Sequence, residues 1–187
     1  MIINTAIKDI KIQLRTVKKL FSPDSIDRGT LAMLSVVDLK DDDKVLDLGC
    51  GYGIVGIYAA KIIGSHDVVM TDIEEIAVSI AKENTVLNGV NKIRIVQGDA
   101  YDSVEDNDFS IILVNPPYHA DFSVPKRFIE KGFRRLRMGG KMYMVTKRKE
   151  WYKNKMISIF GGVKIHQVDG YYVFESERRY KNYAKRR

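Results

Sequence analysis

The chain has 187 residues, with 31 Lys and Arg against 24 Asp and Glu and a formal charge of +7. Hydrophobic residues at 45% and charged residues at 29% exclude long disorder, collagen-like repeats and coiled coil, and leave one domain large enough to bury a full core. The single Cys, Cys50, forbids an intramolecular disulfide, and the three His beside it do not make a Cys/His zinc site.

The amino-terminal residues lack the apolar centre of a signal peptide, and no apolar run reaches the roughly 20 residues that span a bilayer. The expectation is a cytoplasmic protein, neither secreted nor membrane-spanning, with no metal. Charge is unevenly spread: residues 38–110 carry 15 acidic and 6 basic side chains, residues 111–187 carry 19 basic and 6 acidic. A split of −9 against +13 suggests two surfaces with different partners, the basic one suited to a polyanion.

Residues 1–30 read as an amino-terminal extension, near whose end Asp27 caps a helix over 29–37. Short β-branched runs at 44–48, 68–72, 93–97 and 109–114 are bounded by Gly, Asp or Pro and read as strands, three of them buried on both faces. Between them, 52–63 and 74–87 place apolar residues at helical spacing, the second stopping at Asn88-Gly89. Two prolines make Asn115-Pro116-Pro117-Tyr118 a fixed loop. A basic amphipathic helix at about 123–137, a strand at 141–146 and a helix at 149–160 follow. Strands near 163–168 and 171–177 are close enough to pair as an antiparallel hairpin. Alternating strand and helix predict a largely parallel sheet in one domain covering 1–187.

In such a sheet, ligands bind beyond the carboxyl ends of the strands. The first predicted strand runs into Asp47-Leu48-Gly49-Cys50-Gly51-Tyr52-Gly53, where alternate glycines let the backbone turn and approach a ligand closely. Gly51-Tyr52-Gly53-Ile54-Val55-Gly56 matches the dinucleotide-binding pattern G-x-G-x-x-G, a weak signal alone. Carboxylates at three successive strand ends, Asp47, Asp72 and Asp99, would repel a pyrophosphate. They suit S-adenosylmethionine, which carries a sulfonium, an ammonium, a ribose diol and an adenine amine but no phosphate. Asp72 and Asp99 could also serve only as helix caps.

Asp47-Leu48-Gly49-Cys50-Gly51-Tyr52-Gly53 resembles the first motif of the seven-stranded S-adenosylmethionine-dependent methyltransferases. The resemblance implies an α/β, Rossmann-like, seven-stranded single domain with a mostly parallel sheet and a C-terminal antiparallel hairpin. It implies that Gly49, Gly51 and Gly53, with Tyr52 among them, line the methionine part, with Asp47 near its ammonium. Asp72 would take the ribose hydroxyls, Ile73 would cover the adenine, and Asp99, beside Ala100, would accept from the adenine amine.

Asn115-Pro116-Pro117-Tyr118 resembles the loop of methyltransferases that modify a nitrogen conjugated to a ring or carbonyl. An Asn oxygen and the Pro116 carbonyl would accept from the amino group and aim its lone pair at the methyl carbon, while Tyr118 would stack on the target. Phe21-Ser22-Pro23-Asp24-Ser25-Ile26-Asp27-Arg28-Gly29-Thr30, together with Asn115-Pro116-Pro117-Tyr118-His119, is similar to the methyltransferase small-domain family. Its best-known members methylate the exocyclic amine of a guanine in small-subunit ribosomal RNA. The similarity implies that Phe21, Asp27 and Thr30, within the 1–30 extension, close the cofactor pocket. Tyr118 stands where the guanine enzymes have Phe, so adenine N6 and a release-factor glutamine amide remain alternative targets. A third reading is a non-enzymatic RNA-binding module.

Lys147-Arg148-Lys149, Arg127 on the preceding basic helix and the basic tail at 178–187 are the candidate RNA contacts, the partner expected being ribosomal RNA or the small ribosomal subunit. Charged runs are also often only solvated faces.

Overall fold

The computed structural model describes residues 1–18, 20, 22, 25–117 and 121–184. In chain order the elements are β1 (Ile2–Ile7), β2 (Ile10–Arg15), α1 (Arg28–Val36), β3 (Val45–Leu48), α2 (Ile54–Ile63), β4 (Val68–Asp72), α3 (Glu75–Leu87), β5 (Arg94–Gln97), β6 (Phe109–Val114), α4 (Ser123–Arg135), β7 (Leu136–Thr146), α5 (Glu150–Phe160), β8 (Lys164–Val168) and β9 (Tyr171–Glu177).

Seven strands form one sheet in the order β5-β4-β3-β6-β7-β9-β8. The ladders from β5 through β7 are parallel, and β9 pairs antiparallel with both β7 and β8. β3, β4 and β6 hold the centre because their side chains are apolar towards both faces, as buried parallel strands require. Alternation sorts them: Val45, Ile111 and Leu113 join the core shared with α1, α2 and α3, while Leu46, Leu48, Ile112 and Val114 join the core under α4 and α5. The chain leaves β3 towards β4 on one side and its other neighbour is β6. That switch in strand order opens a crevice at the carboxyl edge, where Gly49 and Asn115 emerge.

β1 and β2 form a separate antiparallel hairpin inside what the sequence suggested only as an extension. Its cue was the alternation Ile10, Ile12, Leu14 across Lys8-Asp9, whose φ values of 46° and 69° make the tight two-residue turn that matches strand twist. Ile12 and Leu14 are buried, and the hairpin packs on α2 and α3. Two asparagines one helical turn apart, Asn84 on α3 and Asn88 at its C-cap, imitate a strand edge. Asn84 accepts from Arg15 N at 2.7 Å and donates to Arg15 O at 2.9 Å, and Asn88 does the same to Gln13 at 3.1 and 2.6 Å. Asn84 also donates to Tyr52 O at 2.8 Å, so one fully buried side chain ties the hairpin to the glycine loop.

Two boundaries differ from the expected ones. β7 starts at Leu136 rather than 141, so α4 ends at Arg135, because the β6 ladder shifts register between Phe109 and Ile111. Gly139 has φ of 78°, and a Cβ on Gly140 would lie 2.8 Å from Phe109 O, so both glycines serve an irregular strand rather than end it. The basic tail, as far as residue 184, packs across α4 and α5. Tyr183 donates its hydroxyl to Glu130 O at 3.1 Å, Ala184 N bonds Ile159 O at 3.0 Å, and the Arg178 guanidinium donates to Leu136 O and lies over the Phe133 ring. Arg178 is thus a structural clasp.

Asn84→Ala removes the partners of two Arg15 backbone groups and of the Tyr52 carbonyl. A loss of about 2–4 kcal/mol is expected, from unsatisfied buried groups at about 1–3 kcal/mol each, read as a lowered urea midpoint with the slope retained.

Candidate active site

Gly49 and Gly51 have φ of 76° and 54°, where a side chain is strained. A Cβ built on either meets nothing within 4 Å, so the bare backbone faces open space, as a ligand cradle needs. Gly53 differs: its Cβ would lie 3.2 Å from Ala81 Cβ, and its absence lets the start of α2 approach α3. The loop is braced from β4. Thr71 O accepts from Gly49 N and Cys50 N at 2.9 and 3.0 Å, and Asp72 accepts from Gly51 N at 2.8 Å and Glu74 N at 3.0 Å. Each Asp72 oxygen keeps a free lone pair. Ile73, next to it, is 59% exposed, an aliphatic surface at the rim with no packing partner required of it by the fold.

Asp47 points beneath the loop, where its carboxylate accepts from Gly56 N at 2.9 Å. Burial, and secondarily the charge of Asp72, push its pKa up to about 7 against the lowering effect of the Gly56 bond. Gly56 has no room for a side chain, because its Cβ would overlap Met70 and come within 3.3 Å of the Asp47 carboxylate. Burial likewise pushes the Cys50 thiol up, which keeps it un-ionised and unreactive.

Asp27 joins the extension to two sites at once. It caps α1 by accepting from Thr30 N at 2.7 Å, and its backbone N–H bonds the Tyr52 hydroxyl, whose pKa rises to about 12 chiefly through burial. Its Oδ2 also accepts from Asn115 Nδ2 at 2.8 Å, and Thr30 Oγ1 accepts from the same nitrogen at 3.0 Å. Both amide hydrogens of Asn115 are therefore held, which fixes which end of the amide is oxygen. That oxygen, Asn115 Oδ1, is buried and has no hydrogen-bond partner. An orphaned buried acceptor costs about 1–3 kcal/mol, and native structures tolerate one where a ligand supplies the missing donor.

A model of the methyltransferase small domain matches residues 11–175. The chain belongs to that family. YbxB of Bacillus subtilis, an uncharacterized protein, is 29% identical over 85% of this chain and 82% of its own. Ribosomal RNA small subunit methyltransferase C of Pseudomonas putida is 27% identical over 91% of this chain but 52% of its own length. This chain thus spans about half of such relatives. The structure of the T. thermophilus 16S rRNA N2 methyltransferase RsmC, in complex with AdoMet and guanosine, superposes with a TM-score of 0.86 over 96% of this chain and 50% of that one, at 24% identity. It shows the shared fold.

Several site residues expected of a family member stand differently from the sequence reading. Phe21 and Tyr118 lie outside the described residues. Ala100 turns the chain after β5 with φ of 57°, a conformation that costs an alanine strain. Asp99, expected to face an adenine amine, has both oxygens engaged by Arg127, one at 2.7 Å. Arg127, named as an RNA contact, therefore has its guanidinium paired within the domain, to Asp99. Lys131 pairs with Asp102, and Arg135 donates to the carbonyls of Tyr101, Val104 and Asp106, so the inner cations of α4 hold the 99–106 turn. The acidic excess of 38–110 also divides. Asp43 accepts from Ser110 Oγ at 2.6 Å, and Asp106 pairs with Lys44 at 3.1 Å and with Arg94. All of these lie at the amino ends of β3, β5 and β6, remote from the glycine loop.

Asp47 gives a pH signature. Its folded pKa of about 7 stands above the ordinary 3.8, so the stability it contributes is complete below about 3.8 and is lost as pH rises to about 7. The expected slope is up to about 1.4 kcal/mol per pH unit in that window. Asp47→Asn should flatten it in denaturant titrations of the cofactor-free protein; an unchanged slope would mean that another group carries it.

Proposed function

We propose that this enzyme methylates the exocyclic amine of a base in RNA, with guanine N2 of small-subunit ribosomal RNA as the target. The single observation that carries the reading is the orientation of Asn115. With its nitrogen tied to Asp27 and Thr30, its oxygen can only accept, and an exocyclic amine offers the two donors that Asn115 Oδ1 and the Pro116 carbonyl would take. Bonds from both hydrogens turn a flattened, conjugated nitrogen towards tetrahedral geometry and raise its lone pair as a nucleophile. A ring nitrogen or a hydroxyl offers at most one donor and leaves the second acceptor unfilled. The names and functions of the rRNA methyltransferase relatives support the choice of RNA, and so does the basic carboxyl-terminal half.

The bound cofactor supplies a sulfonium-linked, electrophilic methyl group. Gly49 and Gly51 would let the backbone meet its methionine part without a Cβ in the way. The free lone pairs of Asp72 suit the ribose hydroxyls, and exposed Ile73 suits one face of the adenine. Asp99 can serve the adenine amine while paired, since each of its oxygens accepts a second bond. Asp47 acts from beneath the loop through its field: an ammonium nearby would favour its ionised form. Proton loss from the methylated nitrogen needs no strong base, because the product cation is acidic.

Asn115→Ala is expected to lower kcat by about 10²–10³ with cofactor affinity within twofold of wild type; a loss of affinity equal to that of Asp72→Ala would contradict the role. Thr30→Val, which keeps the shape and deletes one partner of Asn115, should cost about fivefold in kcat, the worth of one hydrogen bond of about 1 kcal/mol. The substrate class is settled by labelled S-adenosylmethionine offered with ribosomal RNA, small subunits, transfer RNA and a release factor, followed by digestion. Label in N2-methylguanosine is expected, and label in protein alone would transfer the reading to a glutamine amide.

A further inference from the structure

Beside the Asn115 loop lies an aromatic and cationic cluster that the methyl-transfer site does not use. Phe122, five residues beyond Pro117, stacks on Trp151 with ring centroids 4.4 Å apart and planes 19° from parallel, and Tyr152 meets both rings edge-on. Phe122 is nevertheless 38% exposed. The Arg148 guanidinium lies 5.2 Å from the Phe122 centroid, while Lys147 and Lys149 lie over the rings of Tyr171 and Tyr172 at 5.0 and 5.4 Å. All three cations are exposed, and none forms an ion pair among the described residues. They contrast with Arg127, Lys131 and Arg135, whose charges are engaged within the domain.

The sheet puts this cluster next to the target. β6 and β7 run parallel with Val114 opposite Met144, so one strand spacing of about 4.8 Å separates the chain leaving β6 at Asn115 from the chain leaving β7 towards Lys147 and Arg148. A stacked aromatic pair with an exposed, unneutralised guanidinium over the Phe122 ring, and two further cations beside it, has the chemistry that receives an unpaired base on the guanidinium plane and its phosphates alongside. An acidic peptide would use the cations but leave the exposed ring idle.

We propose that Phe122, Trp151 and Arg148 form a stacking platform for an unpaired base flanking the methylated nucleotide, with Lys147 and Lys149 holding the adjoining phosphates. The proposal rests on the RNA reading above and adds to it a requirement for single-stranded sequence beside the target. Platform and phosphate clamp divide the binding energy in separable ways. Stacking on the platform is insensitive to salt, whereas each phosphate contact made by Lys147 or Lys149 contributes about 0.7 to the slope of log affinity against log salt.

Trp151 is the only tryptophan among ten Tyr, so tryptophan fluorescence excited beyond the tyrosine absorption band reports on the platform. The full chain is titrated with a short single-stranded oligoribonucleotide containing one guanosine, and with versions abasic on its 5′ or its 3′ side. The expected result is saturable quenching of Trp151 that one of the abasic versions abolishes. Phe122→Ala should weaken RNA binding by about 5- to 150-fold, the range of one stacked base, without changing the salt slope, and Phe122→Tyr should restore it. Lys147→Ala with Lys149→Ala should lower the slope instead. RNA that binds and is methylated while both abasic versions quench like the intact one, or while Phe122→Ala binds normally, overturns the platform alone. Absence of RNA binding, or quenching by an acidic peptide in its place, overturns the platform and the RNA reading together. Circular dichroism of Phe122→Ala and Phe122→Tyr separates a folding defect from lost stacking.

Discussion

The side-chain amide of Asn115 is held at its nitrogen by a carboxylate and a hydroxyl from α1, and the rest of the site depends on that fixed orientation. An unrestrained amide rotates freely and presents a donor as readily as an acceptor; an amide with both hydrogens committed presents only oxygen. Asp27 does this while capping α1 and contacting Tyr52 of the glycine loop. The helix start, the glycine loop and the loop that would face the acceptor nitrogen therefore share one residue, the first and last through its carboxylate and the glycine loop through its backbone N–H. This explains physically why a segment 88 residues from Asn115 in sequence belongs to the same site.

A parallel sheet supplies the frame because it sends every loop after β3, β4, β5 and β6 to one edge. Charge at that edge is local. Asp72 braces the glycine loop, Asp99 is balanced by Arg127, and Asp47 is buried with a raised pKa. At the opposite edge Asp106 neutralises Lys44 and Arg94 instead, and Asp43 is held by Ser110. The acidic stretch is thus two unrelated populations. The basic surface is similarly divided, with Arg178 and the α4 cations holding structure and Lys147-Arg148-Lys149 left exposed.

Much of the fold was legible in the sequence: β4 and β6 begin and end at the expected residues because buried parallel strands are continuous aliphatic runs, and the antiparallel β9 also keeps its expected bounds. The Asp27 cap and the seven-strand sheet were equally readable. The β1–β2 hairpin had only a short cue, the alternation Ile10, Ile12, Leu14 beside Lys8-Asp9, and its docking onto Asn84 and Asn88 as a surrogate strand edge leaves no periodic trace. The start of β7 was hidden by Gly139-Gly140, which resemble a turn until the bulge opposite Phe109 is seen. Within the candidate site, glycines and strand-end carboxylates were visible from their spacing. What spacing could not show was direction: Gly53 facing α3, Asp47 pointing beneath the loop and Arg127 turned onto Asp99. The contact from Asp27 to Asn115 was also out of reach, because it joins two motifs that one-dimensional order keeps apart.

The most direct measurement of the central claim is the side-chain 15N–1H spectrum of Asn115, assigned by its disappearance in Asn115→Asp, recorded with and without cofactor and a guanosine-containing oligoribonucleotide. If Asp27 and Thr30 hold the amide, both of its protons exchange slowly with solvent in the free protein, and they remain protected when the ligands bind at the oxygen. Rapid exchange in the free protein, or loss of protection on binding substrate, would mean that the amide is free to turn and that Asn115 does not act as a preset acceptor.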